Sequence, residues 1–154
     1  MGGTTPHVPA LRNYFQEETH TLNTEPSFSF KVDLALPYEQ ALEKTVAALK
    51  TEGFGVLTEI DVKSTLKQKL DADFRKYTIL GACNPPLAHK ALSTELDLGL
   101  LLPCNVIVYE ENGGSVVSII DPLMMLGMVD NPELEQVAQE ARSRLERVSQ
   151  TLKS

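Results

Sequence analysis

The spacing of apolar residues changes abruptly at Pro37, and that change restricts the fold more than any other feature of the chain. Phe28, Phe30, Val32 and Leu34 alternate with Ser27, Ser29, Lys31 and Asp33, which predicts a strand with one buried face. After Pro37 the period becomes helical. Tyr38, Ala41, Leu42, Thr45, Val46 and Leu49 fall on one stripe, and Gly53 is placed to end the helix. Phe54, Val56, Thr58, Ile60 and Val62 then return to alternation as a second strand. Strand, helix and strand in such quick succession require a sheet on which the helix can lay its stripe.

The remaining chain extends this pattern. A short helix is expected over residues 63–70, where Val62, Leu66 and Leu70 recur every fourth position. Residues 77–83 read as a third strand. Asn84-Pro85-Pro86 then supplies a capping side chain and first-turn prolines for a helix running to about residue 96. Two further strands, over 106–109 and 116–120, flank Glu110-Glu111-Asn112-Gly113-Gly114, whose Asn-Gly step is a strong hairpin signal. A Met-rich apolar turn (Met124, Met125, Met128) follows Asp121-Pro122. The last helix, started by Asn131-Pro132-Glu133, carries the stripe Leu134, Val137, Ala138, Ala141, Leu145, Val148 and Leu152. The expected class is α+β: a mostly antiparallel sheet of about five strands with two main helices, in a β-α-β(4)-α-like order. Residues 1–26 are polar and Pro-punctuated and are expected to form an N-terminal extension, containing His7, His20 and the Tyr14-Phe15 patch. Residues 27–154 are expected to form one domain.

Charge narrows the function. The 154 residues carry a formal charge of −7, which argues against nucleic acid or an anionic membrane as a partner, since either needs a dominant basic face. Lys63, Lys67, Lys69, Arg75 and Lys76 form the one basic cluster, readable as an anion site or as a solvated helix face. The longest apolar run, residues 98–108, is interrupted by Pro103 and Asn105 and is far short of the ~20 residues of a spanning helix. The N-terminus has no basic start followed by an apolar stretch, so a cytoplasmic location with reduced cysteines is expected.

Both cysteines precede asparagine and border proline: Gly81-Ala82-Cys83-Asn84-Pro85-Pro86 and Pro103-Cys104-Asn105-Val106. Cys83 would end one strand and Cys104 begin the next. If those strands are antiparallel, the two thiols share one end of the sheet, within about 10 Å. A thiol just before a helix N-terminus is expected to have a lowered pKa, which makes Cys83 the candidate nucleophile or ligand. Cys104 would be a resolving thiol or second ligand, and His89 a base or third ligand, with Asn84 and Asn105 beside them. Cys-x5-His with one distant Cys matches no standard zinc spacing. The methionines add soft sulfur of the kind that suits Cu(I) or a haem iron, although a packing turn explains them equally. Each cysteine also has a plain reading as a buried small hydrophobe, and Asn84 as a helix cap.

These motifs carry a resemblance. From about residue 28 to residue 152 the chain resembles the family designated domain of unknown function 302. The residues that carry it are Gly53-Phe54-Gly55-Val56, Tyr77-Thr78-Ile79-Leu80-Gly81-Ala82-Cys83-Asn84-Pro85 with Ala88-His89, Leu101-Leu102-Pro103-Cys104-Asn105-Val106, and Asp121-Pro122. The resemblance implies a compact α+β fold of the TATA-binding-protein-like type and pairing as a homodimer, and implies no activity.

Three functions fit these residues. The first is a dimeric binding module for a soft ligand (haem, a metal or a thiol-reactive small molecule) at Cys83, Cys104 and His89. The second is a thiol enzyme or redox protein with Cys83 as nucleophile. The third is a non-catalytic interaction domain whose cysteines are structural.

Overall fold

The computed structural model describes residues 28–154, so the expectations for the N-terminal extension lie outside the described residues. One five-stranded antiparallel sheet, in the order β1-β5-β4-β3-β2, carries helices on one face. Strand β1 (Ser29–Leu34) leads through helix α1 (Tyr38–Thr51) to β2 (Gly55–Asp61) at the opposite edge. Helix α2 (Val62–Leu70) connects β2 to β3 (Tyr77–Cys83), and α3 (Pro85–Thr94) with a 3-10 turn (Leu96–Leu101) connects β3 to β4 (Cys104–Glu111). A hairpin gives β5 (Gly114–Ile120), followed by α4 (Pro122–Leu126) and α5 (Glu133–Lys153). The class is α+β, as the alternating periods require.

The local reasons are visible at the turns. Helix α1 ends where Gly53 takes φ +80. The Gly53 and Phe54 amides then return to the carbonyls of Lys50 and Leu49, and Phe54 drops into the core. In the hairpin, Asn112 and Gly113 both have positive φ, the pattern of a two-residue turn matched to strand twist.

Strand β2 departs from the expected alternation. Val56 pairs with Ala82, but Thr58 pairs with Gly81, so one residue, Leu57, bulges out of register. The bulge reverses the faces. Val56 lies on the helix side, whereas Thr58 and Ile60 lie on the open side although the sequence spacing is unbroken. Leu57 and Ile60 are consequently exposed.

Two apolar cores result. The larger lies between the sheet and α1 with the C-terminal half of α5; it contains Val32, Leu49, Leu80, Val106, Val117, Ala141, Leu145 and Leu152. The smaller joins α3, the 3-10 turn and α4 to the start of α5 through Ala91, Leu98, Leu126, Leu134, Val137 and Ala138. Every member of the stripe expected on α5 is buried, and the stripe serves both cores. Asp121 ties the second core to α5. It is buried, accepts the Leu123 amide at 2.9 Å to cap α4, and receives Arg142 Nε at 3.1 Å.

Candidate functional site

The sheet is antiparallel between β3 and β4, with Ala82 opposite Cys104 and Gly81 opposite Asn105. Both cysteines therefore lie at one end of the sheet, as the sequence suggests for this topology. Both are free thiols. They are one residue out of phase: Cys104 shares the helix-side face with Ala82, and the pleat turns Cys83 the other way. Gly81 is where crowding is greatest. A Cβ there would run into Thr58 Oγ1 and stand 2.7 Å from Pro103 Cγ, so the absence of a side chain lets Thr58 of the bulged β2 and Pro103 close over β3.

A narrow cleft opens behind Cys104, at the seam between the two cores. Phe54, Ala82, Cys104 and Ala141 from the larger core and Ala91, Leu126 and Val137 from the smaller line it. Cys83, Leu87, Pro103 and Met125 are among the other residues that line it. Its volume is about 40 Å³, and its wall is almost wholly apolar. Ligand pockets for drug-sized molecules span roughly 300–1,000 Å³, so this cleft admits a group of a few heavy atoms and has no room for haem as it stands.

Asn84 is the polar member that shapes the mouth. It is buried, its side chain accepts the Leu87 amide at 3.2 Å, and Gly53 leaves the room its amide nitrogen needs. This arrangement overturns the expected activation of Cys83. The first two residues of α3 are prolines, which have no N–H. The next two amides are already taken, Leu87 by the Asn84 side chain and Ala88 by the Asn84 carbonyl. No free donor remains at the helix start to hold a thiolate. Burial is what acts on the thiol, and it pushes Cys83 up from its ordinary value. Cys104 is pushed further, to about 11, first by burial and then by the nearby Cys83.

The other expected participants are placed elsewhere. Helix α3 turns Leu87, Ala88 and Ala91 toward the cleft. His89 therefore falls on the outer face and is exposed. Asn105 is exposed on the open side of the sheet. Among the described methionines only Met125 lines the cleft, while Met124 and Met128 are exposed. Among the described residues no group of three His, Cys, Asp or Glu side chains could hold a metal ion, so Cys83, Cys104 and His89 do not assemble as a three-ligand set. Four of the five members of the basic cluster are engaged locally. Lys67 pairs with Asp71 at 2.8 Å, Arg75 with Glu111 at 3.3 Å, Lys76 with Glu39, and Lys63 donates to the Phe74 carbonyl.

Sequence reading missed an aromatic cluster on the open face. Tyr77 and Tyr109 are cross-strand partners whose rings stack at 5.4 Å, with Phe74 tilted against Tyr77 and Arg75 over Tyr109. The equal parity of the two tyrosines within their strands was the available signal.

Comparison with known proteins agrees with this architecture. The model of domain of unknown function DUF302 matches residues 30–152, and the chain belongs to that family. It is also similar to the crystal structure of an uncharacterised conserved DUF302 protein from Bacillus stearothermophilus, at 34% identity and a TM-score of 0.74. That match covers 80% of this chain and 97% of the other. No curated protein matches the chain. Among the described residues no helix is long and apolar enough to cross a membrane.

The raised Cys104 pKa has a stability consequence. The folded protein holds that proton more tightly than the unfolded chain, so the stabilisation is complete below the ordinary value of 9.0 and is lost as pH rises toward about 11. The loss amounts to about 3 kcal/mol over that window. Urea unfolding at a series of pH values should show this decline, and Cys104→Val should flatten it relative to the parent. An equal decline in the variant would contradict the assignment.

Proposed function

We propose that this protein is a non-catalytic binding module that takes a small, soft or apolar ligand of a few heavy atoms in the cleft beside Cys104 and Met125. The observation that carries this reading is the cleft itself, an apolar seam bounded by the buried Cys104 thiol at the start of β4 and the Met125 thioether on α4. A protonated, desolvated thiol beside a thioether recognises soft partners by polarizability, and a thiol in that form does not act as a nucleophile. A thiol enzyme would need a base and an orienting group beside Cys83. His89 faces away from the cleft. The haem alternative is not supported by a cleft of this size.

Xenon is a suitable probe because dry apolar cavities accept it. Under xenon pressure, amide shifts should concentrate at Ala82, Ala91, Cys104 and Met125. Ala91→Leu, which fills the cleft, should abolish them, and the milder Ala141→Val should reduce them. Shifts scattered over the surface, or unchanged in both variants, would remove the cleft from consideration.

The proposal extends to a pair of such domains. The open face of the sheet presents the half-buried Ile79 and Ile107, and these support the homodimer that the resemblance implies. Light scattering at micromolar concentration should give twice the chain mass. A monomer mass would overturn this part without touching the cleft.

A further inference from the structure

We propose that the end of the molecule formed by the 3-10 turn, α4 and the start of α5 is a docking surface for a basic amphipathic peptide segment. The surface is apolar in the open. Leu96 and Leu100 on the 3-10 turn are 83% and 88% exposed, and Met124 and Met128 are 51% and 71% exposed. The turn and α4 pack together over the same small core, so these four side chains lie on neighbouring elements. Exposed large apolar side chains in such a concentration mark an interaction surface, and methionines suit a partner whose shape the surface must accommodate.

A groove runs beside them. It has a volume of about 300 Å³, with an apolar floor of Leu123, Leu126, Val129 and Leu134, and the exposed carboxylates of Asp130 and Glu135 line it. An apolar floor of this kind suits the apolar stripe of a helix, which inserts residues at i, i+3, i+4 and i+7.

Charge selects the occupant. Between Lys90 and Arg142 the sequence contains no lysine or arginine, while Glu95, Asp97, Asp130, Glu133 and Glu135 all fall in this part of the chain. The flanking cations do not compensate. Arg142 is engaged by Asp121 and Glu146, and Lys90 lies across α3 beside Gln136 and Glu140. A groove with an apolar floor and carboxylates on its wall complements a helix with an apolar stripe and a basic flank. The same charges disfavour other occupants. A second copy docked by this face would oppose carboxylates to carboxylates, and an anionic bilayer would be repelled. Residues 1–27, with one arginine against three glutamates, carry the wrong sign to fill it from the same chain.

This surface is independent of the Cys104 cleft, and its test does not involve the cysteines. A fluorescent Leu/Lys peptide of about 18 residues, patterned as an amphipathic helix, serves as the probe for the full chain by anisotropy. Saturable binding that weakens with salt is expected, with no binding of the Leu/Glu counterpart. The double substitution Asp130→Lys and Glu135→Lys should weaken binding about tenfold or more. Met128→Ser with Leu100→Ser should weaken it at constant charge. All four positions are exposed, so the fold should be unchanged by circular dichroism. Equal binding of both peptides, or undiminished binding by both variants, would overturn the proposal. So would self-association lost in the Met128→Ser variant, capture by neutral phosphatidylcholine vesicles in place of the peptide, or peptide binding only after residues 1–27 are removed.

Discussion

One apolar stripe on α5 holds this structure together. Leu134, Val137 and Ala138 close the smaller core, and Ala141, Leu145, Val148 and Leu152 close the larger one against the sheet. A helix of 21 residues is about 30 Å long, enough to span both cores in one straight element. The cleft follows from that division. Where Val137 gives way to Ala141, the stripe passes from one core to the next, and small residues (Ala82, Ala91, Ala141) face one another there. Larger side chains at these positions would fuse the cores and erase the site.

The chemistry of the two cysteines depends on their surroundings rather than on their neighbours in sequence. Asn84 and the two prolines complete the start of α3 internally, which leaves that helix end without donors for an anion. Desolvation then decides the protonation state of both thiols, in the direction opposite to activation. The same Asn84, accommodated by Gly53, positions α3 over the strand ends and so shapes the mouth of the cleft. A capping motif that reads as an activating environment is here a device for closing one.

Much of this was legible in the sequence, for physical reasons. The α5 stripe, the Asn112-Gly113 hairpin, the Asn84 cap and the Gly53 stop are local signals, set by helical period or by backbone conformation, and each is realised. The faces of β2 were not legible, because the bulge at Leu57 depends on β3 pairing and leaves the spacing of Val56, Thr58 and Ile60 untouched. The outward turn of His89 was obscured because distance from Cys83 was read along the chain, whereas the helix sets direction. The division into two cores, and the seam between them, depends on which elements α5 meets. The pKa direction of Cys83 required knowing that all the amides nearby were already spoken for.

The central claim is that both thiols are neutral packing groups of a binding cleft at physiological pH. Ultraviolet absorbance of the thiolate, followed across pH in the native protein and in Cys83→Ala, tests it most directly. The account predicts no thiolate signal in the neutral range, and a last thiol transition near 11 that persists in Cys83→Ala and is missing from Cys104→Val. A thiolate appearing in the neutral range and lost in Cys83→Ala would contradict it, and would return Cys83 to the role of nucleophile.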